Sequence, residues 1–395
     1  MYNCVRYFRQ RPEGGGKMLT RRFWRNLDYP LVFVVFAILS IGLVVLDSAA
    51  TSITPNPGYY VKKQILWILL GLLGMGLVLC LDYQHLRRYY YFLYVLNLLL
   101  LASVLVVGSE AKGAQRWIAL GPFIFQPSEF SKLIIIITLA RLLETRQGRL
   151  NRFRDLLIPA LHVGVPMLLI LKQPDLGTVL VFMAIFGGML YVGGVNNRLF
   201  LGLAMGGAVS VAFLLYAHFH WGLPLPLEEY QVKRLVVMLN PYNDGEGGRG
   251  AGYHLIQSQV AIGSGGLWGK GLYRGSQVQY NFLPEHHTDF IFAVVGEELG
   301  FFRSIGILGL YFYLLYRMVR IASQAKDYFG ALLVTGVCSM FAFHLLVNVG
   351  MTIGVMPVTG IPLPLFSYGG SSMLTNLLAL GIVLNVYMRR QKIVF

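Results

Sequence analysis

Between Tyr328 and Met388 the chain carries no Asp, Glu, Lys or Arg. A soluble domain cannot keep so long a segment uncharged, because its outer face has to be solvated. Two membrane-spanning helices and their connection can. The rest of the chain repeats the pattern: charged residues make up 13% of the total and apolar ones 56%, against about 25% charged in soluble chains. Apolar stretches of the length that crosses a bilayer, ~20 residues, fall near 30–48, 64–82, 89–109, 127–145, 156–173, 175–195, 199–219, 289–318, 328–354 and 372–388. The expected fold is all-α and integral to the membrane. It has about ten transmembrane helices at ~20 residues each, with a large extracytoplasmic loop, 220–288, between the seventh and eighth.

Basic residues set the orientation. Arg21, Arg22, Arg25, Arg87, Arg88, Arg146, Arg149, Arg152, Arg154, Arg317, Arg320, Lys326, Arg389 and Arg390 fall in segments of one parity, which the positive-inside rule assigns to the cytoplasm. An even number of spans then puts both termini there. Residues 1–28 are expected to form a polar cytoplasmic tail, 29–390 a polytopic membrane domain, and 391–395 a short cytoplasmic tail. Residues 1–17 read as disordered, with Met18 an alternative start. The uncharged run Tyr29–Leu46 exceeds the roughly 7–15 residues of a cleaved signal's apolar region, so a retained anchor is expected. The net charge of +15 reflects the cytoplasmic loops. No basic run is interleaved with aromatics on a polar surface, so nucleic acid is not an expected partner. Cys4, Cys80 and Cys338 make neither a disulfide framework nor a metal-binding spacing.

The glycine-rich run Gly245–Gly250 fits G-x-G-x-x-G but lacks the preceding strand and following helix of a dinucleotide site. Chemistry concentrates elsewhere. Phe282–Gly300 holds Glu285, His286, His287, Asp289, Glu297 and Glu298 beside an apolar segment. Thr288 is placed to cap a helix starting at Asp289, whose carboxylate would then complement the helix dipole. Ionisable groups at membrane depth are nevertheless functional candidates by default. The same cluster leaves room for a divalent cation, magnesium or manganese, on oxygen and imidazole ligands, although no spacing is diagnostic.

Gln126–Lys132 places Pro127 at a helix start, with Glu129 and Lys132 on one face. Lys112, Arg116 and Lys132 put cations on the side that the positive-inside rule disfavours, which suggests an anionic ligand; snorkelling side chains are the alternative. Asp175 is expected to N-cap the sixth span. The isolated His162, His218, His220 and His344 receive no role.

Six stretches in order resemble the SEDS family (shape, elongation, division and sporulation), and most of all its rod-shape members: GAQRW (113–117), FQPSEFSK (125–132), QPDLGT (173–178), GAGYHLIQSQVAIGSGGLWGKG (250–271), FLPEHHTDFIFAVVGEELG (282–300) and MPVTGIPLPLFSYGGSS (356–372). The resemblance implies a peptidoglycan glycosyltransferase of the bacterial cytoplasmic membrane that polymerises lipid II during cell elongation. It implies a class B penicillin-binding protein, a transpeptidase, as partner, alongside other elongation-complex proteins and membrane lipids. The family's essential loop aspartate carries over to Asp289, as general base. Its polar-cavity positions carry over to Lys132, Glu129 and Arg116, with Trp117, Lys112, Glu285 and His287 as further substrate contacts. A free Asp has a pKa of about 3.9, so burial, or neighbours such as Glu285 and Glu297, would have to raise it toward the working pH. A lipid II flippase, a non-catalytic scaffold and the division-type member of the same family are the competing readings.

Overall fold

A computed structural model describes residues 26–390 apart from 54–57, 112–113, 121–122, 223–228, 244 and 251. The expected terminal tails therefore lie almost wholly outside the described residues, and so does Lys112. The long helices are α1 (Tyr29–Ala50), α2 (Tyr59–Cys80), α4 (Tyr90–Val107), α5 (Pro127–Glu144), α6 (Phe153–Leu171), α7 (Leu176–Val192), α8 (Asn197–Trp221), α12 (Ile291–Ser323), α13 (Tyr328–Ile353) and α14 (Gly370–Met388). Shorter ones are α3 (Gln84–Arg88), α9 (Glu229–Leu239), α10 (Tyr253–Gly265) and α11 (Ser276–Gln279). Local signals explain several boundaries. Asp28 accepts a hydrogen bond from Leu31 N at 3.0 Å, Asp175 from Thr178 N at 3.1 Å and Asp327 from Gly330 N at 2.7 Å, each satisfying an orphan amide at a helix start.

Among the described residues, seven helices are long and apolar enough to cross a membrane: α1, α2, α4, α6, α8, α13 and α14. All ten expected stretches are helical, but by length and composition seven of them meet that measure. The other three stretches are helical, but α5 carries Glu129, Lys132, Arg141 and Glu144, and α7 is only 17 residues long. The third, α12, carries Glu297, Glu298 and Arg303 and breaks at Gly300. The segment expected as one long loop after α8 contains the three short helices α9, α10 and α11. A further departure is a small antiparallel sheet, β1 (Ser109–Ala111), β2 (Ala114–Leu120) and β3 (Phe123–Phe125), where a loop was expected. Its register pairs Ser109 with Trp117 and Ile118 with Phe125.

α13 and α14 form the centre. α14 lies along α2, while α13 packs against α12, α7 and α5; α1 covers α12, and α8 touches the bundle lightly through α7. Leu333, Val337 and Phe341 of α13 and Leu377, Leu380 and Val383 of α14 are buried, whereas Phe33, Leu73, Phe92, Leu168 and Phe312 face outward. An apolar exterior around an apolar interior is what lipid as solvent permits, and the helices are then held by close packing and hydrogen bonds. The protein is a multi-pass membrane protein.

The break in α12 has a specific cause. Gly300 adopts φ 78°, ψ −176°, a region essentially reserved for glycine. A Cβ there would sit 2.1 Å from Gly269 N. The turn after α10 is thus pressed onto the kink. Lys270 Nζ pairs with Glu297 Oε1 at 2.7 Å, and Ser48 Oγ donates to Glu298 Oε1 at 2.7 Å. Both carboxylates are fully buried.

Candidate active site

A cavity of ≈ 910 Å³ lies where α2, α5, α7, α12 and α14 begin and α13 ends. Its walls bring together Asp289, Glu285, Lys132, Glu129, Arg116 and Trp117, which come from stretches far apart in sequence. Five helix N-termini lie around one space, which favours negative charge there, and the cations Lys63, Arg116, Lys132 and Arg234 share its wall with the carboxylates Glu129, Asp175, Glu285 and Asp289. His287 lies beside the cavity rather than in its wall.

α5 supplies an ion pair. Pro127 occupies the first turn, where its missing N–H costs nothing. Glu129 and Lys132 then project together, with Nζ to Oε1 at 2.7 Å. Both are buried, Lys132 to 1% exposure. Glu129 Oε2 is buried with no hydrogen-bond partner among the described residues. A buried carboxylate oxygen without a donor is costly, so this one is suited to accept from a bound hydroxyl or from water in the cavity it lines.

Asp289 sits outside any helix. α12 begins at Ile291, with Phe290 at its N-cap position and no side-chain cap, so the expectation of a helix starting at Asp289 is corrected by two residues. The residues before it form a compact turn. Thr288 N and Phe290 N both donate to Glu285 O, each at 3.2 Å, and the Thr288 hydroxyl donates to Glu285 Oε2 at 3.1 Å rather than capping forward. Glu285 itself has φ 52°, a conformation uncommon outside glycine. Asn348 Nδ2 donates to Asp289 O and to Ile361 O, both at 2.8 Å. This fixes the aspartate against the non-helical segment 355–369. Gly360, at φ 75°, leaves room there: its Cβ would lie 3.3 Å from Asp289 Oδ2. Glu297, expected to bear on Asp289, is taken up by Lys270, Ser276 and the Gln277 amide.

Arg116 on β2 reaches the turn between α6 and α7. Its Nε donates to Gln173 O at 3.2 Å and its terminal nitrogen to Pro174 O, with Asp175 at 3.9 Å. Asp175 is both an N-cap and a lining residue. His287 packs in an aromatic cluster, 5.0 Å from Tyr60 and 6.0 Å from Tyr368 between ring centres. Desolvation pushes the Tyr368 hydroxyl up to about 12, so it remains a neutral donor at ordinary pH.

The ligand set considered for a divalent cation does not assemble. His286 turns away, with Nε2 2.9 Å from Ala49 O and Nδ1 against Leu283 O. Among the described residues no group of three His, Cys, Asp or Glu side chains is arranged to hold a metal.

Several lining residues were absent from the sequence expectations. Lys63 follows Lys62 at the start of an apolar stretch, on the side that the expected topology makes extracytoplasmic, so the argument applied to Lys132 would have found it. Arg234 lies on α9, whose amphipathic character was a usable signal. His344 gave none: it is a single histidine in an apolar span. It lies with its Nε2 3.2 Å from Lys132 Nζ.

The family model for FtsW, RodA and SpoVE, described as a cell cycle protein, matches residues 29–392. The chain is 38% identical over 377 residues to the probable peptidoglycan glycosyltransferase FtsW of Trichlorobacter lovleyi, covering 93% of this chain and 95% of that one. It is 34% identical to the peptidoglycan glycosyltransferase RodA of Treponema pallidum, covering 92% and 98%. Its fold matches, with a TM-score of 0.77 and 37% identity over 92% of this chain and 98% of the other, a chain from a structure on coordination of polymerization and crosslinking by a peptidoglycan synthase complex. Motifs, fold and full-length similarity agree: the chain belongs to the FtsW/RodA/SpoVE family, the SEDS family of peptidoglycan glycosyltransferases.

Proposed function

We propose that the cavity joins lipid II units into glycan strands. The observation that carries this reading is one cavity lined both by Asp289 and Glu285 and by the Lys132–Glu129 pair. In the reaction, the acceptor's carbon-4 hydroxyl attacks the anomeric carbon of the lipid-linked strand. The new C–O bond forms as the bond to the pyrophosphate breaks, and undecaprenyl pyrophosphate leaves. Asp289 takes the hydroxyl proton as general base. Lys132 and Arg116 face the negative charge of the pyrophosphate, which a preformed cationic pocket stabilises as it develops. Glu129 holds Lys132 in place, and Trp117, Glu285 and the neighbouring His287 contact the sugar or peptide. Lys112, outside the described residues, is proposed to add a further cation.

All ten long helices cross the membrane in this reading, α5, α7 and α12 included, with Glu129, Lys132, Glu297 and Glu298 buried within the protein rather than facing lipid. The two termini are cytoplasmic, and residues 220–288 are extracytoplasmic with the cavity. The partner is a class B penicillin-binding protein that cross-links the emerging strands, within the elongation complex. The elongation role rests on the motif resemblance to rod-shape members. Complementation of hosts depleted of the elongation-type or the division-type protein separates the two roles. The activity is tested with purified protein, with and without the transpeptidase, given labelled lipid II in detergent. Long glycan polymer on a gel is expected. Transbilayer movement of lipid II in vesicles without any polymer would favour a flippase.

A further inference from the structure

α13 carries two polar side chains one turn apart, His344, which lines the cavity, and Asn348. Both are buried, to 1% and 0% exposure. The partners of His344 determine its chemistry. Nδ1 lies 3.2 Å from Pro362 O, and a carbonyl only accepts, so Nδ1 carries the proton. Nε2 lies 3.2 Å from Lys132 Nζ, and an ammonium only donates, so Nε2 is the acceptor. The ring is therefore a neutral bridge from Lys132 to the 355–369 segment. Lys132 has three donors. Glu129 and His344 take two, leaving one for the cavity that Lys132 lines. One turn along, Asn348 ties the next carbonyl of the same segment, Ile361 O, to Asp289 O.

We propose that His344 is a positioning residue: it aims the Lys132 ammonium into the cavity and sets its place relative to Asp289 through the shared 355–369 segment. A lone lysine on a flexible stem would lose rotamer freedom each time it met its ligand. Holding it between Glu129 and His344 removes that cost before substrate arrives, which is how preorganised charge accelerates a reaction. The proposal rests on the reading of Lys132 as a substrate-facing cation.

The test is steady-state polymerisation of labelled lipid II by the purified protein with its transpeptidase partner. His344→Leu keeps the bulk and removes both hydrogen bonds. It is expected to lower kcat by about tenfold or more with KM little changed, the signature of an interaction made in the transition state. His344→Gln can place an acceptor where Nε2 was and is expected to recover much of the rate. His344→Asn reaches only the Nδ1 position and should stay impaired. Adding His344→Leu to Lys132→Ala should cost little beyond Lys132→Ala alone, because residues acting through one another are non-additive. Wild-type kcat in folded His344→Leu, or equal rates for His344→Gln and His344→Asn, would overturn the proposal. If His344→Leu does not fold, the Gln and Asn pair decides. Full activity in Lys132→Ala would instead remove the reading of Lys132 itself, and the positioning role with it.

Discussion

A lysine ammonium held to 1% exposure persists only with a partner that compensates its lost hydration, and Glu129 provides it at 2.7 Å. Removing one member of such a pair strands the other, whereas replacing both by apolar groups of similar size is often neutral for stability. This separates structure from function. Lys132→Ala should cut polymerisation well over tenfold, about 1.4 kcal/mol or more in the barrier, and lower the thermal midpoint as well. The double change Glu129→Leu with Lys132→Met should restore the midpoint but not the rate; recovery of both would assign the pair a structural role alone. A second prediction concerns Gly360. An L-residue at its φ of 75° costs roughly 1–2 kcal/mol, and the added Cβ would crowd Asp289 Oδ2 at 3.3 Å. Gly360→Ala should therefore lose activity out of proportion to a small drop in midpoint; unchanged turnover would show that the segment does not constrain Asp289. The Glu129–Lys132 pair was legible in the sequence because its members are three residues apart on a helix. His344 was not, because its partner Lys132 is 212 residues away and only the folded bundle brings them together.

At the scale of elements, hydrophobic runs located the long helices to within a few residues, since a bilayer demands continuous apolar length. What they did not reveal is how charge and geometry interrupt that length. α12 is the clearest case. The span expected over 289–318 runs through Gly300, yet the backbone there leaves the helical region, with Gly269 packed against it. A contact between residues in different elements leaves no periodic trace. The small sheet over Ser109–Phe125 was missed for a related reason: its strands are short, and two contain only three residues. The kink carries a prediction. Gly300→Ala puts a methyl 2.1 Å from a backbone nitrogen in a conformation that strains an L-residue by about 1–3 kcal/mol. The purified variant should unfold several degrees lower. A midpoint equal to wild type would mean that the α10–α12 contact is not held as described.

Across the whole molecule, the starts of α2, α5, α7, α12 and α14 and the end of α13 converge on one cavity. The sequence motifs named Asp289, Lys132, Glu129 and Arg116 one stretch at a time, without locating the walls that bring them together. If every long helix crosses the membrane, that end is extracytoplasmic. Arg249 and Gln147 are both exposed and lie on opposite sides in this topology. A membrane-impermeant thiol reagent should label Arg249→Cys in intact cells and leave Gln147→Cys untouched until the membrane is opened; the reverse pattern would invert the orientation and every role assigned to the cavity. The central claim is that Asp289 takes the proton in glycosidic bond formation. Asp289→Asn preserves size and keeps the Asp289 main-chain carbonyl that Asn348 holds, while removing a group able to accept a proton near neutral pH. The most direct measurement is glycan polymer formed from labelled lipid II by this variant, with its thermal midpoint and binding to the transpeptidase measured on the same preparation. The account predicts no polymer from a folded, partner-competent protein, and polymer at the wild-type rate would contradict it.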